Sequence, residues 1–184
     1  MAVEATNIYV KHMELFYDEM KEFIRDRPLR SDPKTMKPTP TADESRTISD
    51  VRVACVVMAG AGMCNGGRIL DHLRANLWKP STQVLIVGYQ AQGSLGRRLV
   101  DGEKEGKIFG ETIAVKATIH TLGGFSAHAG QTDLMRWFDV IAASKPRVVL
   151  THGEDDQRGA LARLIQQRHR LLSKLPKMGD VIEL

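Results

Sequence analysis

The chain has 184 residues, 42% of them hydrophobic, and a formal net charge of +4. That length allows one or two compact domains with a sizeable core, and two cysteines exclude a disulfide-stapled framework. The basic excess leans toward a polyanionic partner without naming one.

Residues 4–25 place Tyr9, Met13, Phe16, Met20 and Phe23 at steps of three and four, which predicts one amphipathic helix. Charges run through this helix, so it does not read as a signal peptide, and no apolar run is long enough to span a bilayer. With the cysteine usage, these features predict a cytoplasmic protein with no membrane partner. Residues 26–47 hold four prolines and many charges and predict a mobile loop.

An alternation of strands and helices comes next. Residues 51–58 predict a buried strand, with Cys55 packed as a small hydrophobe. Residues 67–77 predict a helix with Ile69, Leu70, Leu73 and Leu77 on one side. Residues 83–87 predict a second short buried strand, and 88–102 a Gly-rich turn entering a short helix. Within 108–122, Ile113, Val115, Ala117 and Ile119 alternate, which predicts one or two strands. Residues 124–131 form a loop, and Thr132 is a better N-cap than Gln131 for a helix over 133–143. A strand over 147–150, a loop over 151–157, a basic helix to about residue 172 and a short strand at 181–184 complete the chain. The fold class is α/β, with a mostly parallel sheet flanked by helices. Ligands of such sheets gather at the carboxyl ends of the strands, so the loops 59–67, 88–96, 123–131 and 151–157 are the candidate site.

The first of these loops, with Gly60, Gly62, Gly66 and Gly67, resembles a loosened dinucleotide fingerprint. The acidic residue that would hold a ribose at the end of the next strand is missing, since that strand runs into Val87-Gly88-Tyr89-Gln90. What survives is a glycine turn opening a helix, either a tight corner or an anion cradle to which Arg68 adds a charge-assisted bond. The second loop repeats the design with Gly88, Gly93 and Gly96. There Tyr89 is a candidate to stack on a base, and Ser94, Arg97 and Arg98 to take backbone phosphates. The bland alternative is an arginine pair on a solvated helix face.

Of six histidines, His12, His72, His120 and His169 read as surface or packing residues. His128 and His152 differ, each lying just after a strand among small residues. Imidazole there suits zinc ligation or proton transfer. Zinc takes three or four ligands, and no HxH or HxxxH spacing is present.

Four stretches in this order, GAGMCNGGRILDHL, GYQAQGSLGRRLVDG, HTLGGFSAHAGQTDL and VVLTHGE, resemble the β-CASP group of metallo-β-lactamase-fold nucleases, and within it the bacterial and archaeal RNA-processing members. The resemblance implies an α/β β-CASP domain over residues 1–118 that clamps nucleic acid, and over 119–184 the return into a metallo-β-lactamase domain. It implies that His128, in the SAHA motif, assists proton transfer near the scissile phosphate, and that His152, in the HGE motif, is a zinc ligand in the complete enzyme. It implies that the glycines Gly60, Gly62, Gly66, Gly67, Gly88, Gly93 and Gly96 shape the substrate cleft. Gly130 stands where the family often has Asp, a position expected to cap the next helix. The family's HxHxDH zinc motif and the Asp-containing entry to the insert are not in this sequence.

The expectation is therefore a C-terminal portion of a zinc-dependent RNA-processing nuclease. Its partners would be single-stranded RNA and the missing N-terminal metallo-β-lactamase half. Alone, such a chain is expected to hold no stable zinc and to leave RNA uncleaved. The alternatives are a non-catalytic nucleic-acid-binding module and an inactive fragment that forms homo-oligomers through exposed strand edges.

Overall fold

The computed structural model describes residues 2–26, 37–125 and 128–183. The expected single N-terminal helix is two, α1 (Ala2–Lys11) and α2 (Asp18–Asp26), with a 3-10 turn at Met13–Leu15 between them. Phe16 causes the break: its backbone is extended (φ −73, ψ 152) and its ring stacks on Tyr9 at 6.0 Å. Asp18 and Glu19 lie in the first turn of α2, where carboxylates suit the helix dipole.

Part of the expected loop over 26–47 lies outside the described residues. The rest is ordered by a capping box. The Thr41 hydroxyl accepts from the Glu44 amide at 3.2 Å, and the Glu44 carboxylate accepts from the Thr41 amide at 2.9 Å. This box opens α3 (Ala42–Arg46), which continues as a 3-10 turn at Thr47–Asp50. The segment docks on the helix that carries His72: Ser45 is buried and its hydroxyl meets His72 Nε2 at 3.1 Å.

The buried strand expected over 51–58 is not formed. These residues pair with no strand, and Val53, Val56 and Met58 are 75%, 80% and 79% exposed. A single extended segment is not stable as a strand without a neighbour, and among the described residues every strand already has its one partner elsewhere. The cysteine expectation reverses with it: Cys55 is exposed, while Cys64, beyond the segment, is buried.

The remainder of the chain builds two hydrophobic cores. The first gathers α4 (Ile69–Asn76), β1 (Gln83–Ile86), α5 (Leu95–Val100), β2 (Glu105–Ile108), β3 (Glu111–Ala114) and β4 (Thr118–Thr121) around Leu73, Leu77, Ile86, Leu95, Leu99 and Ile108. β1 runs parallel to β4, with Gln83 opposite Thr118 and Ile86 opposite Thr121. β1 is only half-buried, because Leu85 on its other face is exposed. β2 and β3 form an antiparallel hairpin whose two-residue turn, Phe109 (φ 50) and Gly110 (φ 83), has the twist that tight hairpins favour.

The second core packs α6 (Gln131–Ala142) on α7 (Asp155–His169) and on the short parallel pair β5 (Val148–Val149) and β6 (Ser173–Lys174). Met135, Phe138, Ala142, Val148 and Ile165 fill it. Asp139 joins the two helices, accepting from His169 at 2.7 Å and Arg168 at 2.7 Å, while the His169 ring lies edge-on to Phe138. Gly130, not Thr132, is the N-cap of α6, so Thr132 falls within the first turn. Residues 181–183 form no strand, and residue 184 lies outside the described part.

The architecture is mixed α/β. Among the described residues its strands join two by two, in two parallel pairs and one antiparallel pair, rather than in one continuous sheet. No helix among the described residues is long and apolar enough to cross a membrane.

Candidate nucleic-acid interface

The first glycine turn folds back on itself. The Ala61 amide donates to Gly66 at 3.3 Å, the Cys64 amide to Ala61 at 3.0 Å, and the Ile69 amide at the start of α4 to Gly60 at 3.3 Å. Gly67 is required there, with φ at +70 and a Cβ that would come 2.8 Å from the Gly60 carbonyl oxygen. At Gly60, Gly62, Gly66 and Gly88 an added Cβ would meet nothing within 4 Å, so those positions are open rather than sterically compelled.

The second glycine turn is stitched to the first. Gln90 is buried, and its amide nitrogen donates to the carbonyls of Gly62 at 2.8 Å, Tyr89 at 3.1 Å and Gly88 at 3.2 Å. The Asn65 side-chain oxygen accepts from the Leu95 amide at 2.9 Å, and the Met63 carbonyl from the Gly96 amide at 3.2 Å. Gly96 fits because it has no side chain: a Cβ would lie 1.7 Å from the Gln90 Oε1. The two turns are thus one rigid corner of the first core, which separate motifs in the sequence do not reveal.

Two of the residues offered to phosphate have other uses. Arg68 turns its guanidinium onto the backbone of the preceding segment, bonding the carbonyls of Thr39, Pro40 (2.9 Å) and Thr41 (3.2 Å). It ties the capping-box segment to α4, so it is not a free charge at the helix start. Ser94 is buried as the N-cap of α5. Its hydroxyl accepts from the Arg97 amide at 3.1 Å and donates to the Ala91 carbonyl at 2.7 Å, leaving no face for a ligand.

Tyr89, Arg97 and Arg98 remain at the surface of this corner. Tyr89 is 58% exposed. Arg97 Nε lies 2.9 Å from both carboxylate oxygens of Asp101, and Arg98 pairs with Glu103 at 2.7 Å. Both pairs are partly solvated, and their arginines can exchange an intramolecular carboxylate for a phosphate.

The fourth candidate loop meets the second through Glu154. β5 leads into Thr151, then His152 at φ +61 and Gly153 at φ +117, a left-handed pair that turns the chain into α7. Glu154 is the N-cap of α7, yet its side chain does not cap the helix. Its Oε1 accepts from the Tyr89 hydroxyl at 2.5 Å and from the Gln92 amide at 3.1 Å, with Arg97 Nη1 3.9 Å away. The carboxylate so placed pushes the Tyr89 phenol above its ordinary value of 10.0. Composition and spacing did not single out Glu154. The available signal was its place in the HGE motif, directly after the histidine.

His128 and His152 are both exposed, each in the loop before a helix. The two residues before His128 in its motif, Ser126 and Ala127, lie outside the described part. His72 has the structural use expected of it, His169, which sequence gives no role, bonds Asp139 between the two helices, and His120 Nε2 meets the Gln83 side chain at 2.6 Å across the β1–β4 pair. Among the described residues no group of three or more His, Cys, Asp or Glu is placed to hold a metal ion. His152 on its own does not fit the three or four ligands that zinc requires, so no chemical step through a metal can be derived from this geometry.

Residues 1–99 match the family model described as the Beta-Casp domain, and residues 112–173 match that described as the Zn-dependent metallo-hydrolase RNA specificity domain. The chain is 36% identical over 182 residues to Ribonuclease TTHA0252 of Thermus thermophilus, which covers 98% of this chain and 41% of that protein. It is 29% identical over 192 residues to the transcription termination factor FttA of Pyrococcus abyssi, covering 100% of this chain and 29% of that protein. Against FttA of Methanocaldococcus jannaschii the identity is 28% over 190 residues, covering 99% and 30%. The chain therefore spans less than half the length of the curated relatives it matches.

Proposed function

Since the chain belongs to the Beta-Casp domain family, which accounts for its residues 1–99, we propose that it supplies the RNA clamp and the last two active-site histidines of a zinc-dependent RNA-processing nuclease. In this reading the first core, to about residue 118, is the clamp, and the second core is the return into the metal-binding domain. β4 pairs with β1 and straddles that junction. His128 serves proton transfer, and His152 is one zinc ligand, the others lying on an N-terminal metallo-β-lactamase half. Tyr89, Arg97 and Arg98 face single-stranded RNA, while Arg68, Ser94 and the glycines hold the corner in shape. The nuclease acts in the cytoplasm.

The observation that carries this reading is the joining of the two motifs at Glu154. The turn holding His152 lies against the turn carrying Tyr89 and Arg97, so the metal-side and RNA-side groups belong to one surface. The match to an RNA specificity domain and the similarity to a ribonuclease support RNA as the ligand.

The test follows a labelled single-stranded RNA with the purified chain, with zinc and then with chelator, reading binding and cleavage in the same samples. Salt-dependent binding without cleavage is the expected result. No binding even at low salt overturns the RNA clamp, and zinc-dependent cleavage overturns the placement of the remaining ligands on another half. A second reading, a non-catalytic nucleic-acid-binding module, needs only the exposed Tyr89 and the partly solvated Arg97 and Arg98. A third reading, an inactive fragment that associates with itself, draws on exposed apolar residues such as Val53, Val56, Trp137 and Val140. A monomer in sedimentation at high concentration would remove it.

A further inference from the structure

Two donors from the second glycine turn converge on one oxygen, with a guanidinium beside them. The Tyr89 hydroxyl, the Gln92 amide and Arg97 Nη1 all face Glu154 Oε1, at 2.5, 3.1 and 3.9 Å. A phenol, a backbone N–H and a guanidinium around one anionic oxygen are the groups that receive a phosphate oxygen. The carboxylate comes from the other core, at the N-cap of α7, and does no capping there. Its side chain is 18% exposed.

We propose that Tyr89, the Gln92 amide and Arg97 form a phosphate-oxygen site, and that Glu154 occupies it as an internal stand-in which a phosphate group must displace. The proposal rests on the RNA-clamp reading for its natural ligand, and it adds the regulation of that clamp. With Glu154 in place the turn is closed and the two cores are linked. When a phosphate takes its position, the link opens and the HGE turn is released from the second glycine turn.

The surrounding charges set the strength of the site. Arg97 keeps Nε on Asp101 and presents Nη1 to the site. Asp156, in the first turn of α7, also acts on Tyr89. Like charge from Glu154 therefore opposes an incoming phosphate. A neutral side chain of the same shape, which still accepts from Tyr89 and Gln92, removes that opposition and leaves the turn intact.

The experiment titrates inorganic phosphate and, separately, a short single-stranded oligouridylate into the wild-type chain and into Glu154→Gln, following affinity and the NMR shift of the Gln92 amide. Glu154→Gln is expected to bind both probes roughly two- to fivefold more tightly, the scale of one partly exposed charge interaction. Adding Tyr89→Phe or Arg97→Gln to that variant is expected to remove the gain, with thermal melts showing each variant folded. Equal or weaker binding of both probes by Glu154→Gln overturns the proposal. So does RNA binding that leaves the Gln92 amide unmoved in both proteins, while keeping the RNA-clamp reading. Tighter phosphate binding with a Gln92 shift, but no RNA binding by either protein, supports the site and overturns the clamp.

Discussion

The hydroxyl of Tyr89 donates to the carboxylate of Glu154 across 65 positions of sequence. One residue lies just after a strand of the first core, and the other opens a helix of the second. The bond ties the second glycine turn to the HGE turn. Its consequences can be measured.

The phenol reports the bond directly. Glu154 raises the Tyr89 pKa through the hydrogen bond and, to a lesser extent, through its charge. A tyrosine whose pKa is higher in the folded state contributes stability that is complete below the unfolded value near 10 and is lost as pH rises through the folded value. Ultraviolet titration of the wild type and of Glu154→Ala, which removes both the acceptor and its charge, should show one phenol moving down toward 10 in the variant. An unchanged titration would mean that the bond is not made in solution.

Acid acts on a different joint. Burial lowers the His72 pKa below 6.5 by disfavouring the imidazolium, and Arg68 adds to this while Asp71 opposes it. The neutral ring is the form that folds best, so its contribution is intact above pH 6.5 and is lost as pH falls from there through the lowered value. In urea denaturation, the stability difference between wild type and His72→Gln should shrink on going from neutral to mildly acidic pH. A difference that grows on acidification contradicts this account.

Arg68 is placed to hold the capping-box segment rather than RNA. Arg68→Ala leaves the carbonyls of Thr39, Pro40 and Thr41 without their charged donor and should cost about 1–3 kcal/mol. Hydrogen exchange should rise first in residues 41–50. Its effect on RNA affinity should be smaller than that of Arg97→Gln at equal amounts of folded protein.

The glycines divide into two classes. Gly67→Ala meets the Gly60 carbonyl at 2.8 Å in a left-handed conformation and should cost roughly 1–3 kcal/mol. Gly62→Ala meets nothing within 4 Å and should stay within about 0.5 kcal/mol of wild type. Gly96→Ala belongs with Gly67, because the Gln90 side chain it would displace is buried and bonded to three carbonyls. Parallel denaturation curves for the three variants check the order.

Periodicity and motif order located most elements of this protein. The helices over 67–77 and 133–143, the strand over 83–87 and the turn after Leu150 were legible because local pattern and tertiary packing agree there. The family was legible for the same reason, in four short stretches whose order is a property of the chain alone.

Tertiary structure decided what patterns of apolar residues leave open. An apolar run such as 51–58 is a strand only if a neighbour accepts its hydrogen bonds, and none does among the described residues. A serine or arginine in a glycine turn faces a ligand only if the backbone has not already engaged it, and here α5 uses Ser94 while residues 39–41 use Arg68. Glu154 acquires its meaning only from a residue 65 positions away. Sequence alone determined which groups this protein carries and where the chain turns. The packing of the two cores determined which of those groups remain available to bind.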